Sequence, residues 1–204
     1  MSRTIFGDFA IFKDGAIVHT GVLAIGGNHL TNDIAVGLRT PQNEAEKIKI
    51  RHGCAMSAMV KPDETIEVPG VGGRKSRIVS RKLLSDIIEP RVEEIFSLIQ
   101  REVMKSGYQD ILSGGIVITG GTSILEGMPE VAEFIFEMPV KRGLPMNIGG
   151  LRDVVNSPKY ATGVGLIKYG ARNMQKSKSK FTIRDKNIYD KVRGSMRSWI
   201  KDLF

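Results

Sequence analysis

Residues 114–127, GGIVITGGTSILEG, decide how the chain is read. The run Ile116-Val117-Ile118-Thr119 is rich in β-branched residues and uniformly apolar rather than alternating, the pattern of a parallel strand covered on both faces. Gly120 and Gly121 then let the backbone take φ > 0 and pass close to a flat ring or a phosphate, because no Cβ intervenes. Thr122 adds a hydroxyl there. Pro129 stands where a first helical turn tolerates it, and Val131, Phe134, Ile135 and Met138 recur at helical spacing. The segment predicts strand, glycine turn and helix, with a ligand crevice at the strand end. A plain tight turn in an α/β domain would look the same, so both readings stand on these residues alone.

The 204 residues, 41% of them apolar, suffice for one sizeable core or two small ones. A single cysteine, Cys54, excludes an intramolecular disulfide, and three histidines with one cysteine offer no zinc-type spacing. A reducing cytosol fits that usage. No run approaches the roughly 18 consecutive apolar residues of a spanning helix, and the N-terminus lacks the basic-then-apolar pattern of a signal peptide. Residues 172–204 hold ten Lys or Arg against three Asp and so carry +7 of the net +8. The nearly neutral, aromatic-poor body argues against nucleic acid, which is bound by basic faces and stacking rings.

Working outward, residues 8–21 read as a hairpin about an Asp14-Gly15 turn. Gly26 and Gly27 precede a short helix over 28–38. Pro41 marks a break, after which Asn43 is the expected cap of a helix carrying Ala45, Ile48 and Ile50. Weak alternation predicts strands over 55–60 and 65–68. Residues 70–75 are glycine-rich and basic, yet Arg74 stands where a phosphate-binding P-loop requires glycine, so the segment reads as an exposed turn. Ser80 is placed to cap a long helix bearing Leu84, Ile87, Ile88, Ile95, Ile99 and Val103. Pro90 predicts a kink or split in it, because an interior proline costs on the order of 3 kcal/mol. A further strand is expected over 140–148 and a helix over 160–170. Residues 175–180, QKSKSK, read as solvated linker.

Eight segments in this order, the hairpin, GGNHLTNDIA, EAEKIKIRHGCA, IEVPGVGGR, IIEPRVEEI, GIVITGGTSILEG, LPMNIGGL and YATGVGLIKYG, resemble the FtsA family of bacterial cell-division proteins. That family lies within the actin and Hsp70 ATPase superfamily, and the resemblance is to its C-terminal half alone. It implies an α/β fold: the second lobe of an actin-like ATPase, a mixed sheet flanked by helices with an inserted α+β subdomain, followed by a C-terminal amphipathic helix. On this mapping residues 1–37 and 110–171 form a 2A-like subdomain and 38–109 a 2B-like one. Residues 172–187 form a basic linker and 188–204 the amphipathic helix.

The resemblance also implies that Glu46 and Lys49 face the ribose and adenine of ATP, and that Gly120, Gly121 and Thr122 contact the adenosine. Glu46 and Lys49 stand three apart and share a helix face, and a glutamate can accept from both ribose hydroxyls. Without the resemblance the pair reads as a surface salt bridge. ATP with Mg is the family's cofactor, but MSRTIFG stands before Asp8 where the family has an Asp-x-Gly-Gly-Gly-Thr phosphate loop. The expectation is therefore weak or absent nucleotide binding by this chain alone, no hydrolysis, no catalytic residue and no metal site, with a truncated product or a cleft completed by a separate polypeptide as the alternatives.

The last seventeen residues speak without the family. At 100° per residue, Ile188, Tyr189, Val192, Met196, Trp199, Ile200, Leu203 and Phe204 fall on one arc of about 160°, interrupted only by Arg193. Arg193, Arg197 and Lys201 line one flank. This is the pattern of a basic interfacial helix whose apolar arc dips among acyl chains while Trp199 sits at headgroup level. Each basic residue near an anionic surface contributes about 1 kcal/mol, and each half-buried apolar side chain about as much, so burial outweighs charge in this helix. The alternative is docking on the protein's own core, against which the preceding polar linker argues.

By resemblance the 2B-like part receives the C-terminal peptide of the tubulin-like FtsZ, with Arg77 and Arg91 either meeting its carboxylates or standing as solvated surface. An anionic lipid membrane, other divisome proteins and a second copy are the further expected partners. The expected place is peripheral, on the cytoplasmic face of the inner membrane at the division site. Two functions follow: an adaptor tying the FtsZ polymer to that membrane, or an ATP-binding actin-like lobe needing a separate N-terminal lobe.

Overall fold

A computed structural model describes residues 7–109, 112, 114–149 and 155–178. The chain divides into two units, residues 1–161 and 162–204.

The first unit opens with an antiparallel hairpin of β1 (Gly7–Lys13) and β2 (Ala16–Leu23). Asp14 and Gly15 both take positive φ, 52° and 78°, as the expected two-residue hairpin turn requires. Helices α1 (Gly27–Gly37) and α2 (Gln42–His52) follow, then a second antiparallel pair, β3 (Thr65–Val68) with β4 (Arg77–Ser80). The long helix α3 (Arg81–Lys105) is one 25-residue element, capped as its sequence indicates: the Ser80 hydroxyl accepts from the Lys82 amide at 3.1 Å. Pro90 does not split it. Proline lies on the exposed side, while Leu84, Ile88, Val92 and Phe96, four apart and buried, hold one continuous stripe across it.

That stripe is the spine of a single core. Leu30, Ile34 and Leu38 from the α1 region, Ile48 of α2, Ile66 and Val68 of β3, and Val131 and Ala132 of α4 (Met128–Phe136) pack in the same cluster. Phe96 meets Phe136 edge-on, ring centres 6.0 Å apart. The 2B-like stretch 38–109 and the flanking stretches thus share one hydrophobic interior.

Strand β5 (Ile116–Ile118) runs parallel to β6 (Val140–Arg142), with α4 as their crossover. Burial on both faces, expected from the uniform run, does not hold: Val117 is 66% exposed. Ile116 and Ile118 are part-buried on one face, Ile118 against the core, while Val117 points from the opposite face into solvent. The later strand ends at Arg142 instead of continuing to 148. Residues 55–60 hold a 3-10 turn, Ser57–Met59, rather than a strand: Ala55 donates to the Glu126 carbonyl at 2.7 Å beside an isolated parallel bridge at Cys54, and the chain then turns, with the Ser57 amide donating to Glu89. Helix α2 is led by Pro41, whose carbonyl accepts from the Glu44 and Ala45 amides, both at 2.9 Å; Asn43 sits inside the first turn.

In the second unit, α5 (Ala161–Lys178) extends seven residues into the segment read as linker. After Gly170 the sequence ARNMQKSK contains neither proline nor glycine to stop it. None of the helices among the described residues is long and apolar enough to cross a membrane. The expected amphipathic helix, with Ile188, Val192, Arg193, Met196, Arg197, Trp199, Ile200, Lys201, Leu203 and Phe204, lies outside the described residues.

Candidate functional site

Three separate stretches of sequence meet at Gly27, the first residue of α1. From α2, Lys49 reaches in with a buried ammonium that donates to the Gly27 carbonyl at 2.8 Å, the Thr31 hydroxyl at 2.7 Å and Glu46 at 2.7 Å. Thr31 in turn donates to the same Glu46 carboxylate oxygen and lies 3.1 Å from the Gly27 carbonyl. From the other side comes the Gly-Gly-Thr turn. A Cβ added at Gly27 would overlap the Thr122 hydroxyl, and the Lys49 ammonium is 3.7 Å from the same point. Glu46, Lys49 and Thr122, which the sequence could only align by resemblance, are therefore brought together.

The Lys49–Glu46 ion pair that the spacing suggested is present, with its ammonium buried rather than on the surface. An ammonium has three protons, and all three are engaged inside the protein. Lys49 braces the start of α1 and orients Glu46, whose side chain keeps 28% of its surface in solvent.

The Gly-Gly-Thr turn is equally fixed. Gly120 has φ 93°, which an L side chain rarely adopts, and a Cβ there would meet nothing within 4 Å, leaving open space beside the backbone. Gly121 sits in ordinary helical space at φ −62° and leads a 3-10 turn, Thr122–Ile124. The Gly120 amide donates to the Pro158 carbonyl at 3.2 Å, Ser123 donates to the Gly120 carbonyl at 2.8 Å, and Arg142 donates to the carbonyls of Ser123 and Leu125 at 2.8 and 2.7 Å. Lys159 is the nearest side chain to Gly121, 3.9 Å from where its Cβ would be. A carboxylate, a hydroxyl and a side-chain-free backbone edge suit the diol and flat face of an adenosine. Among the described residues no group of three or more His, Cys, Asp or Glu converges as a metal site.

Gly27, Thr31 and Lys159 were not singled out by sequence. Gly27 had a signal, since a glycine pair before a helix marks close approach; Thr31 and Lys159 had none, because their partners come from other segments.

A second polar junction joins the turn to the 2B-like part. Arg81 donates to the His52 carbonyl at 2.9 Å, to Glu64 at 2.5 Å and to Glu126, four residues beyond Thr122. The bond from Arg81 holds the Glu64 carboxyl below its ordinary range. Beside it, burial pushes the Cys54 thiol up. Arg77 and Arg91 have partners of their own: Arg77 donates to the Leu38 carbonyl at 2.6 Å, and Arg91 grips Asp33 at 2.6 and 3.1 Å and also reaches Glu94.

The family model for the cell division protein FtsA matches residues 7–165, well over half of the chain. The chain belongs to the FtsA family. FtsA of Pseudomonas aeruginosa is 53% identical over 163 residues, covering 80% of this chain and 39% of that protein. FtsA of Escherichia coli K12 is 39% identical over 203 residues, covering 96% of this chain and 47% of its own length. The chain thus spans less than half the length of these FtsA relatives. Among solved structures, MreB5 of Spiroplasma citri bound to AMPPNP superposes with a TM-score of 0.68 at 19% identity, covering 87% of this chain and 53% of that one. EutJ, the ethanolamine utilization protein of Carboxydothermus hydrogenoformans, gives 0.53 at 21% identity, covering 79% and 44%. These likenesses establish the fold expected from the FtsA resemblance, an actin-like lobe of mixed α/β structure.

Proposed function

We propose that this chain acts in bacterial cell division as a non-enzymatic adaptor. Its 2B-like part receives the C-terminal peptide of FtsZ, and residues 188–204 lie as an amphipathic helix in the anionic cytoplasmic face of the inner membrane at the division site. The observation that carries this reading is the FtsA match over residues 7–165, with the +7 of residues 172–204 standing after it. The apolar arc through Trp199 supplies the membrane affinity and the flanking Arg193, Arg197 and Lys201 assist it.

The test is a three-component sedimentation. FtsZ filaments should pellet with anionic vesicles when the chain is present and stay behind when it is left out or lacks residues 188–204. Filaments that remain in the supernatant with the intact chain would overturn the adaptor.

A second reading, favoured by the meeting of Glu46, Lys49 and Thr122 at Gly27, is an adenosine-facing edge of an ATP cleft completed by another lobe. Glu46 would take the ribose hydroxyls, while Gly120, Gly121 and Thr122 would lie along the nucleoside. On this reading the other lobe holds the phosphates and Mg, and this chain contributes the nucleoside contacts. Micromolar ATP binding by the chain alone would refute that division.

A further inference from the structure

We infer that Thr31 is a positioning residue that aims Glu46 at a ribose, and so sets the preference of this edge for a ribonucleoside over a 2′-deoxyribonucleoside. The inference rests on the nucleotide-edge reading. Thr31 is buried, yet its hydroxyl faces charge: it accepts from the Lys49 ammonium at 2.7 Å and has two acceptors in reach, the Gly27 carbonyl at 3.1 Å and the nearer Glu46 carboxylate. A hydroxyl has one proton to give, and the closer, ionised acceptor takes it. The Thr31 oxygen is thus the node joining a buried cation to a partly exposed anion.

Helix geometry explains why this falls to residue 31. It lies one turn after Gly27, so its side chain rises over the Gly27 carbonyl that Lys49 also grips. Glu46, three residues before Lys49, enters from α2 onto the same spot. With the hydroxyl removed, the Glu46 oxygen that Thr31 and Lys49 share loses one of those two bonds, and the carboxylate, partly in water, is less firmly aimed. A carboxylate accepts from both hydroxyls of a vicinal diol only when its plane is set; a 2′-deoxy sugar offers one hydroxyl.

The experiment is titration of the 204-residue chain with adenosine and with 2′-deoxyadenosine, in wild type, Thr31→Val, Thr31→Ser and Glu46→Gln. The wild type should favour adenosine by about tenfold or more, the scale of one hydrogen bond to a charged group. Thr31→Val should cut the ratio below about threefold, Thr31→Ser should keep it, and Glu46→Gln should abolish it. Where the valine variant does not melt cooperatively, Thr31→Ala reads the same loss. A hydroxyl-free variant that still discriminates tenfold, or a serine variant that loses as much as valine, overturns the positioning role while leaving the nucleoside edge intact. The missing phosphate loop does not bear on adenosine, which carries no phosphate, so failure of the wild type to bind either nucleoside at millimolar concentration overturns the edge itself, and this role with it.

Discussion

The Thr122 hydroxyl occupies the place where a side chain on residue 27 would begin. This contact brings the glycine turn of β5 against the first turn of α1, two segments far apart in sequence, and it explains why residue 27 has no side chain. Gly27→Ala should force Thr122 to rotate or the turn to withdraw, costing about 1–3 kcal/mol as an overpacking change. Thr122→Ala added to it should return part of that loss, with a coupling of at least about 0.5 kcal/mol in a denaturation double-mutant cycle. Additive losses would show that the two residues do not share the space.

Arg81 makes stability depend on acid in a defined way. Because its guanidinium lowers the Glu64 carboxyl from an ordinary value of 4.5, the folded form binds that proton less readily than the unfolded one. The associated stability is complete above 4.5 and is lost as pH falls through the lower folded value. Arg81→Ala should lower Tm by a few degrees at neutral pH and flatten the decline below pH 4.5. Thermal melts between pH 3 and 7 read both, and parallel profiles for the two proteins would contradict the assignment.

Arg91 is held by Asp33 through two nitrogens, so its charge already has an internal partner. Arg91→Glu should destabilise the fold by placing a third carboxylate beside Asp33 and Glu94, which would confound any loss of FtsZ-peptide binding. The exchange Asp33→Arg with Arg91→Asp should restore most of the lost Tm. If the exchanged protein melts like wild type but no longer binds the peptide, the arginine contacts the partner directly; retained binding assigns it to the fold alone.

What could be read ahead of the structure is what short-range chemistry dictates. Asp14-Gly15 takes positive φ at both positions because nothing remote is needed for it, and Ser80 caps α3 through an amide two residues away. Gly120 needs its glycine for the same local reason. The misreadings lie where distant partners decide. Residues 55–60 alternate weakly, but after the single bridge bond from Ala55 to Glu126 the Ser57 amide goes to Glu89 and the chain turns. Val117 belongs to an apolar run, yet it stands on the face opposite Ile116 and Ile118 and is exposed, because what packs on a sheet face comes from elsewhere in the chain. The sequence placed Glu46 beside Lys49 on a helix face; that Thr31 and the Gly27 carbonyl would complete Lys49's bonds depends on how α1 crosses α2, which spacing does not encode.

The tether is tested most directly by sedimenting the 204-residue chain with vesicles containing anionic lipid, beside the same chain lacking residues 188–204 and the pair change Arg197→Glu with Trp199→Glu. The intact chain should pellet with the vesicles and both altered chains should stay in solution. An intact chain left wholly in the supernatant, or altered chains that pellet as well as it does, would contradict the adaptor.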